Sequence, residues 1–362
     1  MTSQPSENKE LSSVDTKKAP KRKRKTLIIL LCCFLSLVIV AASTGAALWY
    51  FGKSGMTEKD ATLAPTDGVD TTVNDDDTVV YKDKVYKYNE KIAAILCIGV
   101  DDEKKMSGGV AVTGHAGQAD ALYLIAVDTE SGKTTVLGIP RDTLVDVDIY
   151  SKSGSYAGVE NTQICLAYAY GDGQKTSCEN TVKSVSRLLY GMPVNSYFAV
   201  DQKAIASLHG AVGTVTVIPN ETLNTGSVSF KEGVEFRLTK YNVFDYLQAR
   251  NQKSVDASYK RMQRQLDYIK KYSAAAIEKT KKNILFPVEL YNKIQKKAVT
   301  NMDASRITYL TSAIISTKES ASLEFISMTG EQIKGEDGYA EFYPDEEALF
   351  ETVLSIYYKE VK

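Results

Sequence analysis

Residues 92–100 read Ile-Ala-Ala-Ile-Leu-Cys-Ile-Gly-Val, nine positions with no polar alternation. A run of that length and kind predicts a strand buried on both faces of a sheet. Downstream, Ala121 to Asp128 and Thr134 to Ile139 flank the turn-forming pair Ser131-Gly132 and predict a hairpin, so the sheet is mixed and not wholly parallel. The Gly-rich residues 107–118 predict a loop ahead of it. Thr176-x-x-Glu179 has capping-box spacing and opens a predicted helix through Tyr190, with Val182, Val185, Leu188 and Leu189 on its apolar face and Gly191 and Pro193 at its stop. A strand at 197–200, a helix at 202–212 and a strand at 214–218 then predict a β-α-β-like unit. Residues 257–282 predict a long helix. At about 100° per residue, Met262, Leu266, Ile269 and Ile277 share one stripe, and Arg261, Arg264, Gln265 and Tyr268 an adjacent arc. The predicted fold class is α/β, with helices covering a mixed central sheet.

Outward from this core, the N-terminal segment is of a different kind. Residues 1–25 carry eight Lys/Arg and end in Lys21-Arg22-Lys23-Arg24-Lys25. Residues 26–51 then contain no charge, and Trp49, Tyr50 and Phe51 stand at the far end. The run is long enough to span hydrocarbon, too long for a signal-peptide core, and its flanks predict a cytoplasmic basic tail and an uncleaved single-pass signal anchor. Against such a span the basic cluster reads as a topology signal, and no nucleic-acid partner is expected. Residues 52–80 are predominantly acidic and lack apolar periodicity, which predicts a solvated flexible stalk. The folded domain is expected over 81–283, outside the cytosol, and residues 284–362 are read as a helical extension packed on or following it. Cys165 and Cys178 leave both a disulfide and buried thiols open. With two His and no Cys-x-x-Cys, a zinc site is not expected.

The sequence lacks a Walker A loop, a Gly-x-Ser-x-Gly elbow and a zincin helix. What it offers instead is Asp and Arg at the ends of apolar strands: Asp101 after the first, Asp120 ahead of the second, Arg141-Asp142 after the third. Strand ends of open α/β sheets are where ligands bind. Carboxylates without His suit a hard ion such as Mg2+, and guanidiniums suit phosphate oxygens. Arg250, Arg261 and Arg264 add the same polarity from a later segment. Together they read as a pyrophosphate site with a metal, with ordinary surface ion pairs as the plainer alternative.

Ile139-Pro140-Arg141-Asp142-Thr143, Asp120 twenty-one residues before Arg141, Ala167-Tyr168-Ala169-Tyr170-Gly171, Tyr246-x-x-x-Arg250 and Arg261-Met-Gln-Arg264-Gln265 resemble the LytR-CpsA-Psr family over about residues 90–282. The resemblance implies an α/β/α sandwich that holds a polyprenyl chain in an apolar tunnel, with the pyrophosphate at its mouth. It implies transfer of a cell-wall glycopolymer from that lipid carrier to peptidoglycan by a membrane-anchored, extracytoplasmic enzyme of a Gram-positive envelope. Asp101 and Asp120 match the acidic pair that contacts Mg2+. Arg141, Arg250 and Arg261 match the phosphate-gripping positions, with Asp120, Arg141 and Arg250 the expected catalytic set and Arg264 either a further contact or a salt-bridge partner.

Two departures stand out. Gln118-Ala119-Asp120 replaces a common Arg-Ser-Asp, and Tyr246-Leu-Gln248-Ala-Arg250 replaces Tyr-Ala-Arg-Thr-Arg. Gln118 and Gln248 can still donate to phosphate, but without charge. They motivate an alternative, a catalytically weak or inactive glycolipid-binding or regulatory protein. A transcription-attenuator reading finds no room for a DNA-binding fold in a 25-residue tail.

Overall fold

The computed structural model describes residues 45–57, 61, 63–64, 68–74, 78–101, 116–250, 254–283, 285–316 and 322–361. Residues Leu48–Lys362 form one compact unit; of the other, Met1–Ala47, only the helical residues 45–47 are described. The basic tail and most of the expected span therefore lie outside the described residues. Among those described, no helix is long and apolar enough to cross a membrane.

The core is a six-stranded mixed sheet in the order Ala298–Thr300, Ser196–Val200, Ile92–Val100, Ala119–Asp128, Thr134–Ile139, Leu323–Ser327. The Ile92–Val100 strand sits inside it, antiparallel to Ala119–Asp128 and parallel to Ser196–Val200. That placement is why its sequence shows no alternation: both faces are covered. On one face Ala94, Leu96 and Ile98 pack with Val185 and Leu189, and with Phe350 and Val353 of helix Glu346–Tyr357. On the other, Tyr123 and Val136 pack with Met262 and Leu266 of the long helix Ala257–Lys282, while Ala93 and Val127 meet Tyr309 and Leu310 of helix Ala304–Ser316. The predicted hairpin is present, and the three layers are helix, sheet, helix.

The structure corrects several boundaries. The chain ahead of Val79 contributes to the fold: Met56 is fully buried and accepts from Ser196 Oγ, Leu63 is in the main core, and Thr71–Val73 pairs with Val79–Tyr81. Acidic, aperiodic composition hid these few anchoring residues. The segment after 283 does carry helices, Phe286–Ile294, Ala304–Ser316 and Glu346–Tyr357, but it is part of the domain and not an extension of it, because Ala298–Thr300 and Leu323–Ser327 are the two edge strands of the central sheet. Strands of three and five residues carry too little pattern of their own; their neighbours in the sheet decide them. Val215–Val217 leaves the main sheet and pairs with Phe236–Leu238, so no β-α-β unit closes there. Helix Lys175–Leu188 starts ahead of Thr176, and its first turn is satisfied by Asp172, whose Oδ1 accepts from the Gln174 and Ser177 amides. Ile277 is exposed, since the long helix outruns the sheet. Cys165 and Cys178 are buried free thiols.

A second hairpin, Leu144–Tyr150 with Tyr156–Gln163, is tied to the Lys175–Leu188 helix through Asp148. That carboxylate is buried and pairs with Lys183 and, at 2.8 Å, with Arg187. Burial pushes the carboxyl up, but the hydrogen bonds from Lys183 and Arg187 outweigh it and hold it below the usual range. A lowered carboxyl contributes stability that is complete above its unfolded value of about 3.9 and is lost as pH falls through the folded value. Asp148→Asn is thus expected to lower the neutral-pH midpoint by about 2–4 °C and to flatten the loss of stability below about pH 4, read by thermal unfolding across pH. An unchanged acid limb would contradict the pairing.

Candidate functional site

The C-terminal end of Ile92–Val100, the start of Ala119–Asp128 and the end of Thr134–Ile139 meet at one end of the sheet, because neighbours in it run antiparallel. Asp101 therefore sits beside Gln118, whose amide donates to Asp101 Oδ1 at 2.9 Å. Asp120 lies within its strand, at a local irregularity. Gly99 pairs with Ala121 and Val100 with Ala119, which leaves Asp120 as a bulged residue with no partner across the ladder. A bulge breaks strict alternation of faces. Asp120 and Ala121 both line the same cavity.

Arg141 is the hub. Its guanidinium contacts the Asp120 carboxylate, donates to Gln118 Oε1 at 2.6 Å and lies 3.3 Å from Asp142 Oδ1. Asp142 is buried, and it accepts from Ser258 Oγ and, at 2.9 Å, from Gln332 Nε2. Beneath this turn the short helix Leu166–Ala169 is buried, and Cys165 N–H donates to Arg141 O at 3.2 Å. Gly171 ends that motif where a Cβ would stand 2.2 Å from Ser177 N, so only glycine fits.

The long helix supplies Arg261, which donates to Asp120 O at 3.1 Å and reaches 3.5 Å from its Oδ2. Burial, then repulsion by Arg141 and Arg250, pushes the Arg261 guanidinium down to about 10. Three cations thus crowd one spot and favour an anion between them. Arg264 does not join them. It is buried and spent on Tyr246 O, Ala249 O and Glu221 Oε1, while Gln265 Nε2 donates to Leu247 O at 2.8 Å. These bonds satisfy the last carbonyls of helix Val243–Gln248 and fix the backbone that presents Gln248 and Arg250. Arg264 is therefore a positioning residue and not a phosphate contact; periodicity placed it on the right arc but could not show that neighbouring carbonyls use its donors.

These groups ring the mouth of a cavity of about 770 Å3 between sheet and helices. Asp101, Asp120, Gln248, Arg250 and Arg261 line it, and deeper in the walls are Cys97, Phe198, Ile205, Leu208, Tyr268 and Tyr272. Gly99 and Ala121, both small and paired across the ladder, keep the sheet face low at the rim. Arg141 and Gln118 lie beside the mouth, in a second cleft that shares Arg250 with the cavity. So the structure brings together Asp101, Asp120, Arg141, Arg250, Arg261, Gln118 and Gln248. Sequence reasoning missed Asp142's partners Ser258 and Gln332 and most of the apolar lining, whose residues read as ordinary core.

Among the described residues no group of three or more His, Cys, Asp or Glu could hold a metal. Asp101 and Asp120 both stand at the rim, and one or two carboxylates are the ligands through which Mg2+ binds, its shell completed by water and phosphate; the Asp120 carboxylate is also engaged by Arg141 and Arg261.

A model of the LytR_cpsA_psr family matches residues 53–354. The polyisoprenyl-teichoic acid–peptidoglycan teichoic acid transferase TagU of Oceanobacillus iheyensis is 26% identical over 168 residues, 46% of this chain and 47% of that protein. The chain thus spans about half the length of the curated relatives it matches. Among solved structures, Bacillus subtilis TagV is 24% identical with a TM-score of 0.55, over 73% of this chain and 96% of that one. TagT bound to LI-WTA is 19% identical with a TM-score of 0.54, over 74% and 90%. Both structural likenesses are of fold.

Proposed function

The chain belongs to the LytR-CpsA-Psr family, and on that footing we propose that it is a transferase that moves a cell-wall glycopolymer from a polyprenyl-pyrophosphate carrier to peptidoglycan, anchored by residues 26–51 with its domain outside the cytosol. The observation that carries this reading is the convergence of Arg141, Arg250 and Arg261 at the mouth of an apolar cavity. An apolar chain is held by burial in the cavity at roughly 0.8 kcal/mol per methylene. Its pyrophosphate then meets paired N–H donors where the apolar wall ends. The relatives named as teichoic acid transferases support a teichoic-acid-like polymer as the donor.

In this mechanism an acceptor hydroxyl attacks the sugar-proximal phosphorus and polyprenyl monophosphate leaves. Arg250 and Arg261 balance the charge on the pyrophosphate, and Arg141 is aimed by Gln118, Asp120 and Asp142. Asp120, fixed between Arg141 and Arg261, acts by orienting them and not as a base. A Mg2+ ion held by Asp101 and Asp120 would, when bound, supply further neutralisation of the phosphates.

The test is release of polyprenyl monophosphate by the detergent-extracted full chain, given a lipid-pyrophosphate saccharide, peptidoglycan and Mg2+. Mass spectrometry of co-purifying lipid is its companion. Absence of both transfer and a co-purifying polyprenyl species would overturn the proposal.

The second reading, a binding or regulatory protein, draws on the two glutamines. Gln118 spends its carbonyl on Arg141, and Gln248 Nε2 stands 3.5 Å from Asp245 Oδ1. Gln248→Arg adds a charge-assisted donor at the mouth, and transfer is expected to rise about tenfold, the equivalent of about 1.4 kcal/mol. Rates that stay at zero in both proteins favour the binding role.

A further inference from the structure

Beside the apolar cavity lies a second concavity of different chemistry, a polar cleft of about 1050 Å3. Gln118, Arg141, Asp142 and Arg250 form its inner end, so it opens directly onto the residues assigned to the pyrophosphate. One wall is the Tyr156–Gln163 strand, with Glu160, Asn161 and Thr162; the other is the turn of the C-terminal hairpin Gly330–Lys334/Ala340–Pro344, with Asp337, Tyr339 and Glu341.

That hairpin is built into the site. Phe342 N–H donates to Asp142 O at 2.9 Å, Thr143 bridges to Phe342, and Gln332 Nε2 donates to the Asp142 carboxylate. Gln163 Nε2, from the facing wall, donates to Ala340 O at 2.5 Å. The two walls are therefore joined to each other and to the turn that carries Arg141.

We infer that this cleft binds the acceptor, a neutral glycan strand of linked hexopyranoses, and delivers its hydroxyl to the phosphorus held by Arg141 and Arg250. The inference rests on the transferase reading above. Three considerations support it. Displacement at phosphorus is roughly in line. With the departing lipid phosphate directed into the apolar cavity, the nucleophile has to arrive from outside it, and the cleft adjoins the phosphate-binding arginines on the polar side. Carboxylates and amides at strand spacing accept and donate to the many hydroxyls of a sugar, and Tyr339, 67% exposed, offers a ring for a pyranose face. Among the described residues along the outer walls, Glu160, Asp337 and Glu341 outnumber the single cation Lys334, which disfavours a phosphodiester chain and argues for the neutral acceptor over the anionic donor polymer.

In the step itself the hydroxyl oxygen forms a bond to the sugar-proximal phosphorus, and the bond from that phosphorus to the bridging oxygen breaks. The electron pair leaves with polyprenyl monophosphate. The hydroxyl proton ends on that monoester, whose second ionisation lies near pH 6.

The probe is a neutral β-1,4-linked tetrasaccharide of N-acetylglucosamine, titrated calorimetrically into the detergent-extracted full chain without lipid donor. Binding by the wild type is expected, at least tenfold weaker in Tyr339→Ala and Glu160→Gln and restored in Tyr339→Phe, with affinity for the lipid-pyrophosphate saccharide unchanged within about twofold. Tyr339 is exposed, so its variants test the cleft and not folding. No wild-type binding, equal binding by all variants, or a loss confined to the lipid donor would each overturn the inference. Tetrasaccharide binding that follows the cleft variants in a protein without transfer activity would sink the transferase reading alone.

Discussion

Arg250→Ala is expected to lower kcat/KM for transfer about a thousandfold while moving the unfolding midpoint by no more than about 2 °C. Among the described residues Arg250 is the one side chain that lines both the apolar cavity and the polar cleft, at the point where the proposed mechanism places the pyrophosphate. Its backbone is held from behind, because Arg264 and Gln265 bind the carbonyls of Tyr246, Leu247 and Ala249. The guanidinium itself is exposed and part of no hydrophobic cluster, so its loss removes charge and donors without opening a core. Removal of one donor aimed at developing charge costs roughly a hundred- to a thousandfold, and weaker phosphate binding adds to that. Arg250→Lys should recover about tenfold of the loss, since a point charge lacks the paired geometry of a guanidinium. A fall of less than threefold in Arg250→Ala, with lipid-linked donor in excess, would exclude Arg250 from the reaction.

The second large effect is predicted at Cys97, in the middle of the Ile92–Val100 strand and facing the cavity. Burial in that apolar wall pushes its thiol up to about 12, so it is neutral and inert at neutral pH. Cys97→Phe projects a ring into a space of about 770 Å3. If the ring displaces about three methylenes of a bound chain, affinity for polyprenyl phosphate should fall by about 2.4 kcal/mol, or roughly fiftyfold. Stability is expected to hold or rise, because the ring buries apolar area without crowding packed neighbours. Cys97→Ser is the control, with affinity within about threefold of wild type. Wild-type affinity in Cys97→Phe would show that the lipid lies elsewhere. This opposition between rising stability and falling affinity separates a binding cavity from a packing defect.

What could be read ahead of the structure depended on how local each signal was. The Ile92–Val100 strand, the hairpin that follows and the 257–282 helix were legible because each carries a complete period of its own chemistry over six or more residues. The candidate residues were legible as types, and the structure gathers them: Asp101, Asp120, Arg250 and Arg261 line one cavity and Arg141 stands beside its mouth. Of the two roles open to Arg264, phosphate contact or salt-bridge partner, the structure shows the second, with Glu221; a helix arc says which residues point alike but not which donors are already taken. Gln118 was read as a weakened phosphate contact, and the structure shows its carbonyl steering Arg141. The reach of the chain after 283 was invisible, because edge strands of three and five residues are defined by the strands they pair with.

By itself the sequence determined the class of the fold, the mixed character of the sheet and the kinds of group gathered at its end. Those follow from periodicity and side-chain chemistry, which are properties of short stretches. Only the tertiary structure decided that a bulge turns Asp120 onto the face of Ala121, that the last sixty residues close both the sheet and the polar cleft, and that Arg250 stands between two cavities of opposite character. Each of these depends on contacts between segments more than a hundred residues apart or on a register shift of a single residue, and neither leaves a mark in local composition.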